Sequence, residues 1–152
     1  MTLCAEVLQT LRGKTLVTAE SLTGGGIGAA LTAVSGSSAI YKGGIISYTN
    51  EVKHHILGVP QDTLDIFGAV SEPTARAMAE GARRVLAADV SVSVTGLAGP
   101  GGDDFGNPVG TVFIGYADAE TTLVRKCLFA GTREEIRRQT IEAALRLVLE
   151  MQ

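Results

Sequence analysis

Apolar residues recur along this chain with two different periods, which predict helices and strands in alternation. Leu3, Val7 and Leu11 lie four residues apart and predict an amphipathic helix over residues 3–12. The apolar run within 14–19 predicts a buried strand. The same criteria predict further strands at 41–48, 89–95, 109–117 and 122–129, and further helices at 23–34, 51–57, 71–87 and beyond Thr132.

Polar residues at the predicted helix starts and turns support this pattern. Asn50 and Ser71 are good N-caps for the helices that follow them, and Thr132 with Glu135 predicts a capping box for the last helix. The acidic turn at 118–120 is expected to join the last two strands into a hairpin. Because helices and strands alternate before this hairpin, we predict a three-layer α/β/α sandwich around a mixed, largely parallel sheet.

Composition narrows the class of protein. The 152 residues fit one domain over positions 1–152, and 45% hydrophobic against 19% charged residues argues against disorder. A net charge of -3 argues against a nucleic-acid partner, and no apolar stretch approaches the roughly 20 residues of a membrane span. The start of the chain lacks the pattern of a signal peptide, and Cys4 and Cys127 are too isolated for a disulfide framework. We therefore expect a cytoplasmic protein without a membrane partner.

The segment from Thr18 to Gly26 is the most informative part of the chain. It combines the end of a predicted strand, Ser21, a run of glycines and the start of a predicted helix. Unpaired backbone N–H groups at a helix start can hold a phosphate, or they can hold the oxyanion of an attacked carbonyl. A second glycine-rich loop at 96–106 makes a binding cleft between the two loops a reasonable expectation.

Two nucleotide-binding motifs can be tested against this segment. Gly24–Ala29 matches G-x-G-x-x-A, but the acidic residue that should follow by about 20 positions is missing, since no Asp or Glu lies between Glu20 and Glu51. A Walker phosphate loop needs a lysine directly after its glycines, and none occurs between Lys14 and Lys42. Both phosphate-loop hypotheses are therefore disfavoured.

The only two histidines do not suggest a metal site. His54 and His55 are adjacent, so on a helix they point about 100° apart and cannot both face one ion. A Ser-His-Asp triad would have to use one of these same two residues. We expect surface histidines and no bound metal.

A serine with a lysine base is the remaining chemistry. The carboxyl ends of parallel strands meet at one edge of a sheet, so Ser21, Tyr48 and Lys53 could converge there. A desolvated lysine can be neutral enough to take the serine proton, and the N–H groups of the 22–25 turn would face the oxyanion. The alternative is that Lys53 is a solvated charge on an exposed helix. Short-chain dehydrogenases also use these residue types, but with Tyr and Lys four apart rather than five.

Several segments together resemble the C-terminal domain of the competence/damage-inducible CinA proteins, a family that also includes stand-alone nicotinamide-nucleotide amidases. The resemblance runs in register along nearly the whole chain. It is carried by Thr18–Gly25, Ser47–Lys53, Gly68–Glu72, Val94–Gly102, Pro108–Val112 and Arg133–Gln139.

This resemblance implies hydrolysis of nicotinamide mononucleotide to nicotinate mononucleotide and ammonia, with neither a metal nor a cofactor. Ser21 resembles the nucleophile, Lys53 its general base and Tyr48 an assisting hydroxyl. The substrate would be a small nucleotide, and guanidinium groups suit its phosphate. The residues expected to contact it are Thr23, Gly24, Gly25, Thr95, Gly99, Gly101 and either Arg137 or Arg138.

Two further expectations accompany the resemblance. A competing hypothesis is that the domain belongs to the same family but catalyses no reaction. It would instead bind a nucleotide and regulate a partner. The resemblance and the apolar side of the last helix, which carries Ile136, Ala143 and Leu147, also favour a homo-oligomer over a monomer.

Overall fold

A five-stranded mixed sheet with helices on both faces forms the framework of the computed structural model, which describes residues 1–152. The strands are β1 Leu16–Glu20, β2 Tyr41–Ile46, β3 Val90–Gly96, β4 Thr111–Ala117 and β5 Thr122–Leu128. The helices are α1 Leu3–Thr10, α2 Gly26–Thr32, α3 Asn50–His55, α4 Gln61–Phe67, α5 Glu72–Val85 and α6 Arg133–Glu150, with a 3₁₀ turn at Ser37–Ala39. The predicted α/β/α architecture is confirmed.

The strand order β2-β1-β3-β4-β5 explains where the site forms. β1 pairs in parallel with β2 on one side and with β3 on the other, while β4 pairs antiparallel with both β3 and β5. Four strands therefore share one direction and β4 opposes them. The chain leaves β1 towards β2 and later returns to its other side, so a crevice opens at the carboxyl ends of β1 and β3.

Alternating side chains on β3 separate the two faces of the sheet. Its valines point into the larger core, which α1, α2 and α6 cover. Its serines point towards α5, where Ser91 Oγ donates to the Ala79 carbonyl at 2.5 Å and Ser93 Oγ donates to the Ala75 carbonyl at 2.7 Å. Buried hydroxyls are tolerated on this face because each has a backbone acceptor.

The smaller core on the opposite face joins residues of β1, α4 and α5 with Leu57 and Val59, which follow α3. It contains eight buried residues, among them Val17, Ala19 and Met78. The Gly81 backbone of α5 lies directly against the Leu57 carbonyl, so this crossing leaves no room for a Cβ. No helix combines the length and the apolar character that a membrane span requires.

Two sequence predictions need correction, and the sequence pattern predicted no helix where α4 lies. Thr49, not Asn50, caps α3, because the Thr49 hydroxyl accepts the Val52 N–H and Asn50 is the first helical residue. The helix predicted at 23–34 spans only Gly26–Thr32, since the preceding glycines adopt left-handed backbone angles. α4 was not predicted, because only one of its seven residues is buried and its apolar pattern is correspondingly weak.

Candidate active site

Ser21 follows the last residue of β1, where the chain turns towards α2. Its N–H donates to the Val94 carbonyl of β3 at 3.1 Å, and its own carbonyl accepts the Gly24 N–H at 3.1 Å. Gly24 and Gly25 have φ angles of 57° and 98°, which residues with a Cβ adopt only under strain. The two glycines therefore permit the tight turn that leaves Ser21 at the end of the strand, with 7% of its surface exposed.

Lys53 reaches this serine from α3 and is almost completely buried, at 1% exposure. Its Nζ donates to Ser21 Oγ at 3.0 Å, to the Ser47 carbonyl at 2.8 Å and to the Tyr48 carbonyl at 3.3 Å. None of the three ion pairs in the protein includes Lys53. The lysine thus has three oxygen neighbours but no carboxylate to stabilise its positive charge.

These three neighbours also suit a neutral amine. The carbonyl oxygens of Ser47 and Tyr48 can only accept, so they take the two N–H bonds of a neutral amine and leave its lone pair facing Ser21 Oγ. Burial lowers the pKa of Lys53 from 10.5 to about 8, because the surroundings disfavour the ammonium form. Such a lysine can accept the serine proton near neutral pH.

Glu20 occupies the start of α2. Its Oε1 accepts the Ile27 N–H at 2.8 Å and the Thr23 hydroxyl at 2.6 Å, while its Oε2 accepts the Gly28 N–H at 3.0 Å and the Thr18 hydroxyl at 3.1 Å. The expectation that these helix N–H groups are unpaired is therefore wrong, because the protein supplies its own anion there. A substrate phosphate cannot take the same place.

The turn itself keeps donors that an oxyanion can use. The Gly24 N–H donates to the Ser21 carbonyl, but the N–H groups of Leu22 and Thr23 have no acceptor within the chain. The residue directly after a nucleophilic serine is a common oxyanion donor. Two functions were considered for this turn, phosphate binding and oxyanion stabilisation. The hydrogen bonds of Glu20 exclude the first at the start of α2 and are compatible with the second.

A cavity of about 320 Å³ lies over these groups, which is a size suited to a small ligand. Arg133, the first residue of α6, closes one side of it by donating from Nη1 to the Gly99 carbonyl at 2.6 Å and from Nη2 to the Tyr48 hydroxyl at 3.2 Å. The other lining residues are Ser21, Leu22, Lys53, Ala69, Val70, Thr95, Gly96, Leu97, Ala98 and Gly101.

Comparison with known proteins assigns the family. A sequence model of the CinA C-terminal domain matches residues 2–152. This chain belongs to the CinA C-terminal domain family. A CinA-like protein of Endomicrobium trichonymphae is 47% identical over 135 residues, covering 89% of this chain and 32% of that protein. The CinA domain described here thus spans about a third of the length of the curated relatives that it matches.

Solved structures of the CinA family share the fold along almost the entire chain. The competence damage-inducible protein A (ComA) of Klebsiella pneumoniae superposes with a TM-score of 0.95 at 37% identity, covering 97% of this chain and 93% of that one. The competence/damage inducible protein CihA of Agrobacterium tumefaciens gives a TM-score of 0.94 at 39% identity, covering 98% and 93%. These similarities establish the fold and the family, and their names assign no reaction.

The CinA fold brings together six of the residues singled out in the sequence. All of them line the cavity: Ser21, Tyr48, Lys53, Thr95, Gly99 and Gly101. Tyr48 is 60% exposed and contacts Arg133 through its hydroxyl, whereas only its carbonyl contacts Lys53. Thr95 donates its hydroxyl hydrogen to the Ala69 carbonyl at 2.7 Å, so it faces the cavity as a hydrogen-bond acceptor.

The other singled-out residues lie behind the cavity or away from it. Thr23 is buried against Glu20, and Gly24 and Gly25 shape the turn without lining the cavity. Arg137 donates from Nε to the Leu22 carbonyl at 2.9 Å and from Nη2 to the Thr23 carbonyl at 3.1 Å, which ties α6 to the serine turn. Arg138 is exposed and makes none of these contacts.

Sequence reasoning overlooked Arg133 and Glu20. Arg133 belongs to the same basic cluster as Arg137 but lies one helical turn earlier, and spacing alone gave no ground for choosing it. Glu20 is the only acidic residue between Glu6 and Glu51, and it stands at the end of a buried strand. An isolated carboxylate in such a place was the available signal, because burial of an acid demands partners.

Proposed function

We propose that this CinA domain is a nicotinamide-nucleotide amidohydrolase that converts nicotinamide mononucleotide to nicotinate mononucleotide and ammonia. The observation that supports this most strongly is the buried Lys53 Nζ at 3.0 Å from Ser21 Oγ, with two backbone carbonyls as its remaining neighbours. An amide is a poor electrophile, so its cleavage calls for an activated nucleophile together with oxyanion donors. In this proposal, Ser21 with Lys53 supplies the first and the turn after Ser21 supplies the second.

The proposed reaction has two halves. Neutral Lys53 takes the Ser21 proton as Oγ attacks the carboxamide carbon, and the N–H group of Leu22, a residue that lines the cavity, stabilises the oxyanion. The C–N bond then breaks as Lys53 returns the proton to the nitrogen, so that ammonia leaves and an acyl-serine remains. Water attacks this ester, gives its proton to Lys53 and releases the nicotinate product, after which Ser21 regains its proton.

Arg133 is the residue that we assign to the phosphate of the nucleotide. It is the only arginine that lines the cavity, and its guanidinium is held between the Gly99 carbonyl and the Tyr48 hydroxyl. Arg137 does not line the cavity, and its guanidinium donates to the Leu22 and Thr23 carbonyls behind it. A guanidinium at the rim of the cavity can bind two phosphate oxygens while the carboxamide reaches Ser21.

Ammonia release from nicotinamide mononucleotide tests the proposal directly. Wild-type protein should release ammonia with formation of nicotinate mononucleotide, while Ser21→Ala should lose activity by about 10³-fold or more because it has no nucleophile. Lys53→Arg should lose at least about 10²-fold, since arginine keeps the charge but cannot act as a base.

Two controls separate this proposal from its competitor. Both variants should keep the helix content of the wild type, which circular dichroism measures. Nucleotide binding by calorimetry without any ammonia release would instead support the regulatory hypothesis. Full activity of Ser21→Ala would contradict the acyl-enzyme mechanism.

A further inference from the structure

Glu20 is a buried carboxylate that the reaction above does not use. Only 2% of its surface is exposed, and none of the ion pairs in the protein includes it. Two backbone N–H groups and two threonine hydroxyls surround its two oxygens. The N–H groups of Ile27 and Gly28 can only donate, so each carboxylate oxygen must accept there.

The side chain of Glu20 fixes the start of α2 relative to the sheet. This helix has no side-chain cap of the ordinary kind, because Gly25 stands at its N-cap position. The carboxylate of Glu20, the last residue of β1, takes the place of that cap. The residues between Glu20 and α2 form the turn that carries the nucleophile. A shift of α2 would therefore have to move the Ser21 turn as well.

The backbone of Glu20 holds the other half of the catalytic pair. Its carbonyl accepts the Ser47 N–H at 2.7 Å and the Ser47 hydroxyl at 3.3 Å. The Ser47 carbonyl in turn accepts Lys53 Nζ at 2.8 Å. Glu20 thus hydrogen-bonds both to the start of α2, behind the Ser21 turn, and to the loop that orients Lys53.

We infer that Glu20 is a positioning residue, whose carboxylate holds the Ser21 turn so that Oγ stays within hydrogen-bond distance of Lys53 Nζ. The inference rests on the proposed function only in taking Ser21 as the nucleophile. It requires no particular substrate. Misplacing a reacting group by about 1 Å can cost about 10²-fold in rate, so the effect should be measurable without loss of the fold.

Glu20→Gln is the decisive variant. Glutamine keeps the size and can still accept at one oxygen, but its NH₂ group would face an N–H donor of α2. The rate is read with a fluorophosphonate probe: Ser21 Oγ bonds to phosphorus, the P–F bond breaks, fluoride leaves, and the serine proton passes to Lys53. Intact-mass measurement should show labelling about 10- to 100-fold slower than in the wild type. With nicotinamide mononucleotide, kcat should fall by a similar factor while KM changes less than about threefold.

Two matched variants distinguish positioning from general destabilisation. Ser91→Ala removes an equally buried hydrogen bond on the same sheet, at the level of Val17 rather than at the turn, and should be labelled at the wild-type rate. Thr23→Val keeps the carboxylate but deletes one of its donors, and should slow labelling by a smaller factor without raising KM. It also serves as the test if Glu20→Gln fails to fold.

The possible labelling results either support or refute the positioning role of Glu20. Wild-type labelling rates in folded Glu20→Gln, or an equal loss in Ser91→Ala, would overturn the positioning role. Absence of any label on wild-type Ser21 would overturn it too, because the serine would then not be an activated nucleophile. A wild type that is labelled on Ser21 but releases no ammonia would refute only the proposed substrate, and slower labelling of Glu20→Gln would still support the inference.

Discussion

Activity should rise with pH and level off above about 8, because Lys53 must be neutral to take the Ser21 proton. Burial lowers the pKa of Lys53 from 10.5 to about 8. At pH 7 about one protein molecule in ten then carries neutral lysine, against about one in three thousand for an unperturbed side chain. Desolvation thus increases the population of neutral Lys53 about 300-fold at neutral pH.

The measurement is kcat/KM for ammonia release between about pH 6 and about pH 10. Below the pKa of Lys53 the value should climb about tenfold per pH unit, and above it the curve should be flat. Far-ultraviolet circular dichroism at each pH checks that the fold persists. A break near the ordinary lysine value of 10.5, or no pH dependence at all, would refute the assignment of a desolvated lysine as the base.

The same pKa shift predicts a pH-dependent stability. Between about pH 8 and 10.5 the unfolded chain binds a proton at Lys53 that the folded protein does not, so the free energy of unfolding rises with pH across this window. Below this window Lys53 is charged in both states, and burying that charge lowers the free energy of unfolding by about 3 kcal/mol. Relative to Lys53→Met, the wild type should gain about that amount as pH increases through the window, measured by urea unfolding. A difference between the two proteins that does not vary with pH would contradict the burial argument.

Three further predictions follow from individual contacts. Arg133→Ala should raise KM for nicotinamide mononucleotide about tenfold or more, whereas Arg138→Ala should leave KM unchanged in the same kinetic assay. Gly81→Ala should lower the free energy of unfolding by about 1–3 kcal/mol in urea titrations, because its Cβ would press on the Leu57 carbonyl. Arg137→Ala should lower it by about 1–3 kcal/mol as well, since it removes two charged hydrogen bonds to the serine turn.

The periodic parts of the chain could be predicted because each element carries its own signal. The valine and serine alternation of β3 follows directly from its two different faces. The approach of Ser21 and Lys53 could be anticipated from the rule that parallel strand ends share an edge. α4 could not be predicted because a surface helix with one buried residue has almost no periodic pattern of apolar residues.

The finer features of the site depend on side-chain directions that spacing does not determine. Arg133 and Arg137 lie one helical turn apart, yet the first meets the cavity and the second meets the carbonyls of the serine turn. Which of them faces the cavity depends on how α6 is rotated against the sheet, a property of the packed core rather than of the local sequence. The burial of Lys53 likewise depends on the packed structure, because it follows from where α3 lies after β2.

The hydrogen bonds of Glu20 favour the proposed acyl transfer over anion binding as the role of the serine turn. A helix start that follows a glycine-rich turn would ordinarily attract the phosphate of a nucleotide. In this chain the Glu20 carboxylate already accepts the Ile27 and Gly28 N–H groups, so a second anion there would meet like charge. The free donors that remain are those of Leu22 and Thr23, next to the serine. If the substrate is a nucleotide, as we propose, its phosphate needs another partner, which is the physical reason for assigning it to Arg133 at the cavity rim.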